Sequence, residues 1–156
     1  AGDTVNDGGM AMEGVHLKIL LAVDGSKYTK RMLGYVAAHD DWLGGQHRYT
    51  VLTVVPYLHP RAAAVTARET IQRYYQQEQE AVLKSVRAFF AKQRLDAEFL
   101  GETGDAAERI AEQVRRSKPD LIVMGSHGRG HLASLLMGSV ATKVLATTKV
   151  PVLLVR

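Results

Sequence analysis

Five short apolar runs, each followed by a stretch of helical periodicity or a turn, constrain this chain more than any other feature. They fall at residues 17–23, 49–55, 97–101, 120–124 and 150–155. Runs of this length bounded by Gly, Pro and Asp read as buried strands rather than helices. Between them lie a helix at 27–39, a long one at 68–92, one with Asp105 at its mouth, and a last one at 140–145. Strands that alternate with helices build a parallel sheet covered on both faces. The predicted fold is therefore α/β: a single-domain, doubly wound, five-stranded parallel sheet of Rossmann-like type. The expected strand order is 3-2-1-4-5, with the first and fourth strands adjacent where the connections change direction. A ligand belongs in that crevice, at the carboxyl ends of the strands.

One stretch sits at that point. Residues 124–140 read Met-Gly-Ser-His-Gly-Arg-Gly-His-Leu-Ala-Ser-Leu-Leu-Met-Gly-Ser-Val. They join the fourth strand to a helix whose apolar residues Val140, Ala141, Val144 and Leu145 share one face. Gly125 and Gly128 remove Cβ atoms where backbone must approach a ligand. Gly138 and Ser139 open the helix, whose first amides lack intrahelical partners and whose dipole favours an anion. The Ser139 hydroxyl has two uses, capping that helix or donating to a phosphate oxygen. After Asp120 the chain has no acidic residue, while Arg129, Lys143, Lys149 and Arg156 are all basic. His127 and His131 add donors. Strand before, helix after and a basic surround favour phosphate binding over a plain surface loop. No Gly-x-x-x-x-Gly-Lys-Ser/Thr occurs, so there is no P-loop. Gly128-Arg-Gly130-His-Leu-Ala133 fits the loose dinucleotide pattern, but no acidic residue follows to hold a ribose, and that reading fails.

The spacing Gly125-x2-Gly128-x9-Gly138-Ser139 resembles the nucleotide-binding signature of the universal stress protein family, in its ATP-binding branch. The resemblance extends to the first run, Lys18-Ile-Leu-Leu-Ala-Val-Asp-Gly-Ser26, and to the last, Lys149-Val-Pro-Val-Leu-Leu-Val-Arg156. It covers roughly residues 16–156. It implies ATP held between the first and fourth strands, with phosphates on the Gly128 loop and at Gly138-Ser139-Val140. The ribose would lie near Gly125, and the adenine between Ala22-Val23 and Val54. Many family sequences carry a His before the position of Val54; this chain has Thr53. Met124 and His127 match positions that line the family's pocket, His127 being either a ligand contact or a simple loop histidine, and Arg129 either screens the terminal phosphate or is solvated.

Asp24 follows the first strand and has two readings. It starts a turn or caps the next helix, or it reaches a ligand group or a phosphate-bound Mg²⁺, which takes one or two carboxylates. Ser26 is a cap first and a ligand contact second. Residues 40–46 read as a loop, with Trp42 packed against the domain edge, and residues 57–65 as a loop or irregular helix. On the long helix Ile71, Tyr75, Val82, Val86 and Phe89 form a stripe, its aromatics read as core filling. Ala107, Ile110 and Val114 make the stripe of the next helix.

Composition narrows the function classes. A net charge of +4 over 156 residues, without a dense Lys/Arg block, gives little support to nucleic acid or a membrane surface as partners. There is no cysteine, so neither disulfides nor thiol chemistry enter. No run approaches the ~20 apolar residues that span a bilayer, and no secretory pattern opens the chain. Cytoplasm is the expected compartment. Residues 1–15 are glycine-rich and read as a flexible tail, with Met10 and Met12 as candidate starts.

The signature stretch holds no Glu or Gln to orient a water, and neither G-x-S-x-G nor H-E-x-x-H occurs. His127 and His131 have i,i+4 spacing on a connection rather than a helix, which argues against a metal pair. An ATP-dependent regulator or switch in a stress response is the favoured reading. A dimeric interaction protein without nucleotide, and a slow ATP hydrolase or adenine-nucleotide transferase, are the alternatives. The run 150–155, apolar at Val150, Val152, Leu153, Leu154 and Val155, would be an exposed edge strand. Antiparallel pairing with a second copy would cover it, giving a homodimer. The downstream partner and the inducing stress are not encoded in any residue pattern here.

Overall fold

A computed structural model describes residues 14–130 and 136–156. Most of the predicted tail, and His131, lie outside the described residues. The elements follow in the order β1 (Lys18–Val23), α1 (Lys27–Ala38), α2 (Asp40–Leu43), β2 (Arg48–Val55), α3 (Pro60–Ala64), α4 (Arg68–Lys92), β3 (Ala97–Thr103), α5 (Ala106–Ser117), β4 (Leu121–Gly125), α6 (Ser139–Thr147) and β5 (Val152–Val155). All strands pair in parallel, in the order β3-β2-β1-β4-β5. This is the predicted doubly wound sheet.

Alternation along the strands splits the core into two layers. Ile19, Leu21 and Val23 of β1 face α1 and α4, where they meet Met32, Val36, Val86 and Phe90. Leu20 of β1, Leu52 of β2 and Ile122 and Met124 of β4 face α5 and α6, where they meet Ala107, Ile110, Ala141 and Val144. The strands are apolar on both sides because both sides are covered. At the amino end of the sheet, Asp120 Oδ2 accepts from the Lys18 amide at 2.8 Å and ties β4 to β1. His47 is buried beside α2, one ring nitrogen 3.0 Å from the Leu17 amide and the other 2.7 Å from the Trp42 carbonyl.

Several local expectations need correction. Residues 40–46 are not wholly loop, because Asp40 and Asp41 open the short helix α2. Trp42 does pack at the domain edge, its ring 6.4 Å from that of Tyr35. The stripe on α4 is fully buried only in its second half, at Val82, Leu83, Val86 and Phe90 with Phe89 half-buried against them, whereas Ile71 and Tyr75 in the first half are half-buried and belong to no core cluster. The reason is length. A helix of 25 residues is ~38 Å long, while a seven-residue strand reaches ~24 Å, so the first turns of α4 stand clear of the sheet. On α5 the third buried position is Gln113, with Val114 half-buried. On α6 Leu145 is exposed and Val140 half-buried, leaving Ala141 and Val144 as the packed face. No helix among the described residues is long and apolar enough to cross a membrane.

Tyr49 anchors α2 to the sheet. Its ring packs edge-on against Phe90 at 5.5 Å, and its hydroxyl donates to the Leu43 carbonyl. Burial pushes the phenol up to about 12 from its ordinary 10.0. The fold thus favours the neutral phenol, and this contribution is complete below pH 10 and is lost as pH rises towards about 12. Replacing Tyr49 with Phe should lower stability at neutral pH by about 1 kcal/mol. It should also remove this alkaline loss, as read from urea melts across the same pH range.

Candidate functional site

The carboxyl end of β1 fixes the first half of the site. Asp24 Oδ1 accepts from the Ser26 amide at 2.9 Å and from the Thr29 hydroxyl at 3.0 Å, and the same hydroxyl accepts from the Asp24 amide at 3.1 Å. One carboxylate oxygen is thereby committed to the turn into α1. The other, Oδ2, lies 2.8 Å from the place a Cβ on Gly128 would occupy. Ser26 Oγ accepts from the Tyr28 amide at 3.2 Å and caps α1. Of the predicted contacts it alone is missing from the cavity wall. Gly25 has φ +76°, a left-handed turn that an L side chain resists, and the absent Cβ leaves room for an Arg129 guanidinium nitrogen and for Val82.

The second half is the junction of β4 with α6. Gly125 is the last residue of β4, in register with Val155, rather than part of the loop. A Cβ there would stand 2.7 Å from Tyr28 Cβ. The next amide, Ser126, donates to the Val155 carbonyl at 2.9 Å. The Ser126 carbonyl accepts from the Gly138 amide at 2.7 Å, which pins the start of α6 beneath the loop. Gly138 is the N-cap and has no side chain to cap with, so Ser139 is the first helical residue and not the cap. The first amides of α6 therefore keep their donors. Ser126 Oγ lies 2.9 Å from His127 Nδ1, and the His127 ring tilts against Tyr28 at 5.2 Å.

These two halves meet at one cavity of about 440 Å³ over the carboxyl ends of β1, β2 and β4. Ala22, Val23 and Asp24 contribute to it from β1, and Val54 from β2. Met124, Gly125, His127, Gly128 and Arg129 enter from β4 and its loop, and Gly138, Ser139 and Val140 from the start of α6. Sequence reasoning missed Thr29, Thr53, Ser126, Tyr74 and Glu78, which also line it. Thr29 and Ser126 sit beside residues that were singled out. Tyr74 and Glu78 come from the overhang of α4, and its length relative to the strands was the available signal. The uniformly basic surround read along the chain is not the surround in space. Asp24 and Glu78 enter the cavity from distant segments, while Lys143 lies outside it, 3.7 Å from Asp105. Among the described residues no group of three or more His, Asp or Glu side chains converges as a metal cage.

A doubly wound parallel sheet with a glycine-lined cavity at its switch point and an uncapped helix start beside it defines the class of Rossmann-like α/β proteins. The family model "Universal stress protein family" matches residues 16–156, and the chain belongs to that family. A universal stress protein of Thermus aquaticus is 35% identical over 142 residues, covering 88% of this chain and 97% of its own. The stress response protein NhaX of Bacillus subtilis is 34% identical over 105 residues, 67% of this chain; the match spans only 61% of that relative. Among solved structures, the universal stress protein from Archaeoglobus fulgidus in complex with dAMP has the same fold. Its TM-score is 0.61 at 20% identity, covering 92% of this chain and 100% of that one.

Because Tyr28 Cβ is held by the backbone of α1, the Gly125 position has no room to give. Gly125→Ala should destabilise the protein by about 1–3 kcal/mol, measured as a shift in the urea unfolding midpoint.

Proposed function

We propose that the cavity binds an adenine nucleotide, preferentially ATP as its Mg²⁺ complex, and that the protein acts as a nucleotide-dependent regulator in a stress response. The observation that carries this is the β4–α6 junction. There Asp24 Oδ2 stands only 2.8 Å from the place a Gly128 Cβ would occupy, so the loop backbone lies directly against the carboxylate, and α6 begins on an uncapped Gly138. An anion at that point gains the free amides and the helix dipole. Gly128, Ser139 and Val140 would hold phosphate, and the Arg129 guanidinium over Gly25 would add charge to it. Ala22, Val23 and Val54 would enclose the base, with Met124 and Gly125 beside the ribose. His127 would be an additional phosphate donor. The bound dAMP of the Archaeoglobus relative supports an adenine nucleotide as the ligand class.

Mg²⁺ would supply charge neutralisation between phosphates. Asp24 Oδ2 fits that task, since its sister oxygen is already occupied by Ser26 and Thr29. The signature loop has no carboxylate or amide side chain with which to orient water, and binding rather than turnover is the expected output. The regulator works as a cytoplasmic homodimer. β5 is an edge strand with Val152, Leu153 and Leu154 half-buried, and pairing it with a second copy would close an edge that otherwise invites aggregation.

Calorimetric titration of nucleotide-free protein with Mg·ATP, ADP and AMP tests the ligand. Saturable binding that weakens at least ~tenfold in Gly128→Val, where added methyls fill the phosphate space, is the expected result. Absence of binding by all three nucleotides would sink the reading. Sedimentation should give a dimer, and a single monomeric species at high concentration would remove the edge-pairing part.

A further inference from the structure

Two layers of different chemistry wall the cavity. Leu52, Ile110 and Met124, with Ala22 and Val54 beside them, belong to the apolar layer under α5 and α6. Thr53 points the other way. Alternation along β2 places it with Tyr49 and Val51, which pack in the layer under α1 and α4. Thr53 is 1% exposed and lines the cavity, yet its hydroxyl has no hydrogen-bond partner among the described residues. A buried hydroxyl in that state costs stability until something in the cavity bonds to it.

A second unpartnered group comes from the turn of α4 beside it. Thr53 is in register with Gly101 of β3, and Gln79 lies over that glycine, its Oε1 2.6 Å from the place a Cβ would occupy. Gln79 Nε2 donates to the Glu102 carbonyl and the Thr103 hydroxyl, both at 3.1 Å, which fixes this turn against the sheet. Glu78 shares a helix face with Val82, and both line the cavity. Val82 Cγ2 and Arg129 Nη2 approach the same point, the place of a Gly25 Cβ, at 3.2 and 2.8 Å. Glu78 therefore stands at the end of β1, on the α4 side. It is half-buried, and no hydrogen bond or ion pair among the described residues engages its carboxylate.

Chemistry decides what such a pair can hold. Ionised Glu accepts hydrogen bonds and donates none, whereas a Thr hydroxyl does both. Phosphate oxygens are acceptors and repel a carboxylate. On the adenine-nucleotide reading the base takes the apolar layer, on the opposite side of the sheet from Glu78. The part of the ligand that remains is the sugar, which joins base to phosphate and carries two neighbouring hydroxyl donors. Acidic side chains hold a ribose in this way in other doubly wound sheets.

We infer that Glu78 and Thr53 form a ribose subsite, the carboxylate accepting from the 2′ and 3′ hydroxyls and the Thr53 hydroxyl completing the contact. The site is thereby selective for ribonucleotides over deoxyribonucleotides. Neither residue belongs to the glycine signature. The inference rests on the adenine-nucleotide reading and adds to it a choice of sugar.

The test is titration of the nucleotide-free full chain with the Mg²⁺ complexes of ATP, 2′-deoxy-ATP and 3′-deoxy-ATP, in the wild type, Glu78→Ala and Thr53→Val. The wild type should prefer ATP over at least one deoxy analogue by about tenfold. That preference should fall close to one in Glu78→Ala and by about threefold or more in Thr53→Val, through weaker ATP binding. Because the Thr53 hydroxyl has no internal partner, the melting temperature of nucleotide-free Thr53→Val should not drop. Equal binding of all three nucleotides by the wild type, or a preference that survives in either variant, would overturn the inference and leave the nucleotide reading intact. An equal loss for all three in Glu78→Ala would also overturn it, since the carboxylate would then serve the phosphate-bound cation. Failure of the wild type to bind any of them would bring down both readings together.

Discussion

Everything at the cavity depends on β1 being hydrogen-bonded on both edges by parallel neighbours. Ala22 is in register with Leu52 on one side and with Met124 on the other. The chain leaves β1 and β2 by helices on one face, α1 and α4, and leaves β3 and β4 by helices on the other, α5 and α6. A gap at the top of β1 follows from this divergence, because no crossover can cover the point from which the two sets depart. Asp24 is the first residue past that point. Its carboxylate is clamped by Ser26 and Thr29 before any ligand arrives, so the remaining oxygen is pre-positioned.

The glycines make sense only against this frame. Gly125 must pass Tyr28, Gly138 must lie against Ser126 and His127, and Gly128 must lie against Asp24 Oδ2. Three different neighbours impose the same demand for a missing side chain. The spacing of the signature is thus a record of three separate close approaches within one junction. At Gly128 the neighbour is Asp24 Oδ2 of the cavity wall, whereas at Gly125 it is the Tyr28 side chain and at Gly138 the loop backbone.

Much of the fold was legible because it is written in local patterns. The strand order was expected from the alternation of strands and helices as a doubly wound five-stranded sheet, and α4 occupies the residues its periodicity marked out. The candidate site was legible where it coincides with strand ends and the glycine spacing, as at Asp24, Val54, Gly125, Gly128 and Gly138. It was not legible where membership depends on how far an element extends in space. Glu78 looks like any solvated helix glutamate in sequence; only the overhang of α4 beyond the strands turns it towards the cavity. Charge misled in the same way. Scarcity of acid after Asp120 is a fact about the chain, whereas Asp24 and Glu78 arrive from residues ~100 and ~40 positions earlier, brought in by the sheet order. Ser139 failed as a cap because a one-residue shift in the helix start passes that role to Gly138, and such shifts are below the resolution of periodicity.

Ser126 occupies two places at once. The residue lines the cavity, its hydroxyl beside His127 Nδ1, and its amide is bonded to the Val155 carbonyl on β5. A loop displacement that moves this residue must either break that bond or carry the end of the edge strand with it. The interior of the crevice and the outer margin of the sheet are separated by a single peptide group, with no compliant segment between them to absorb a shift. Pocket and perimeter behave as parts of one lever.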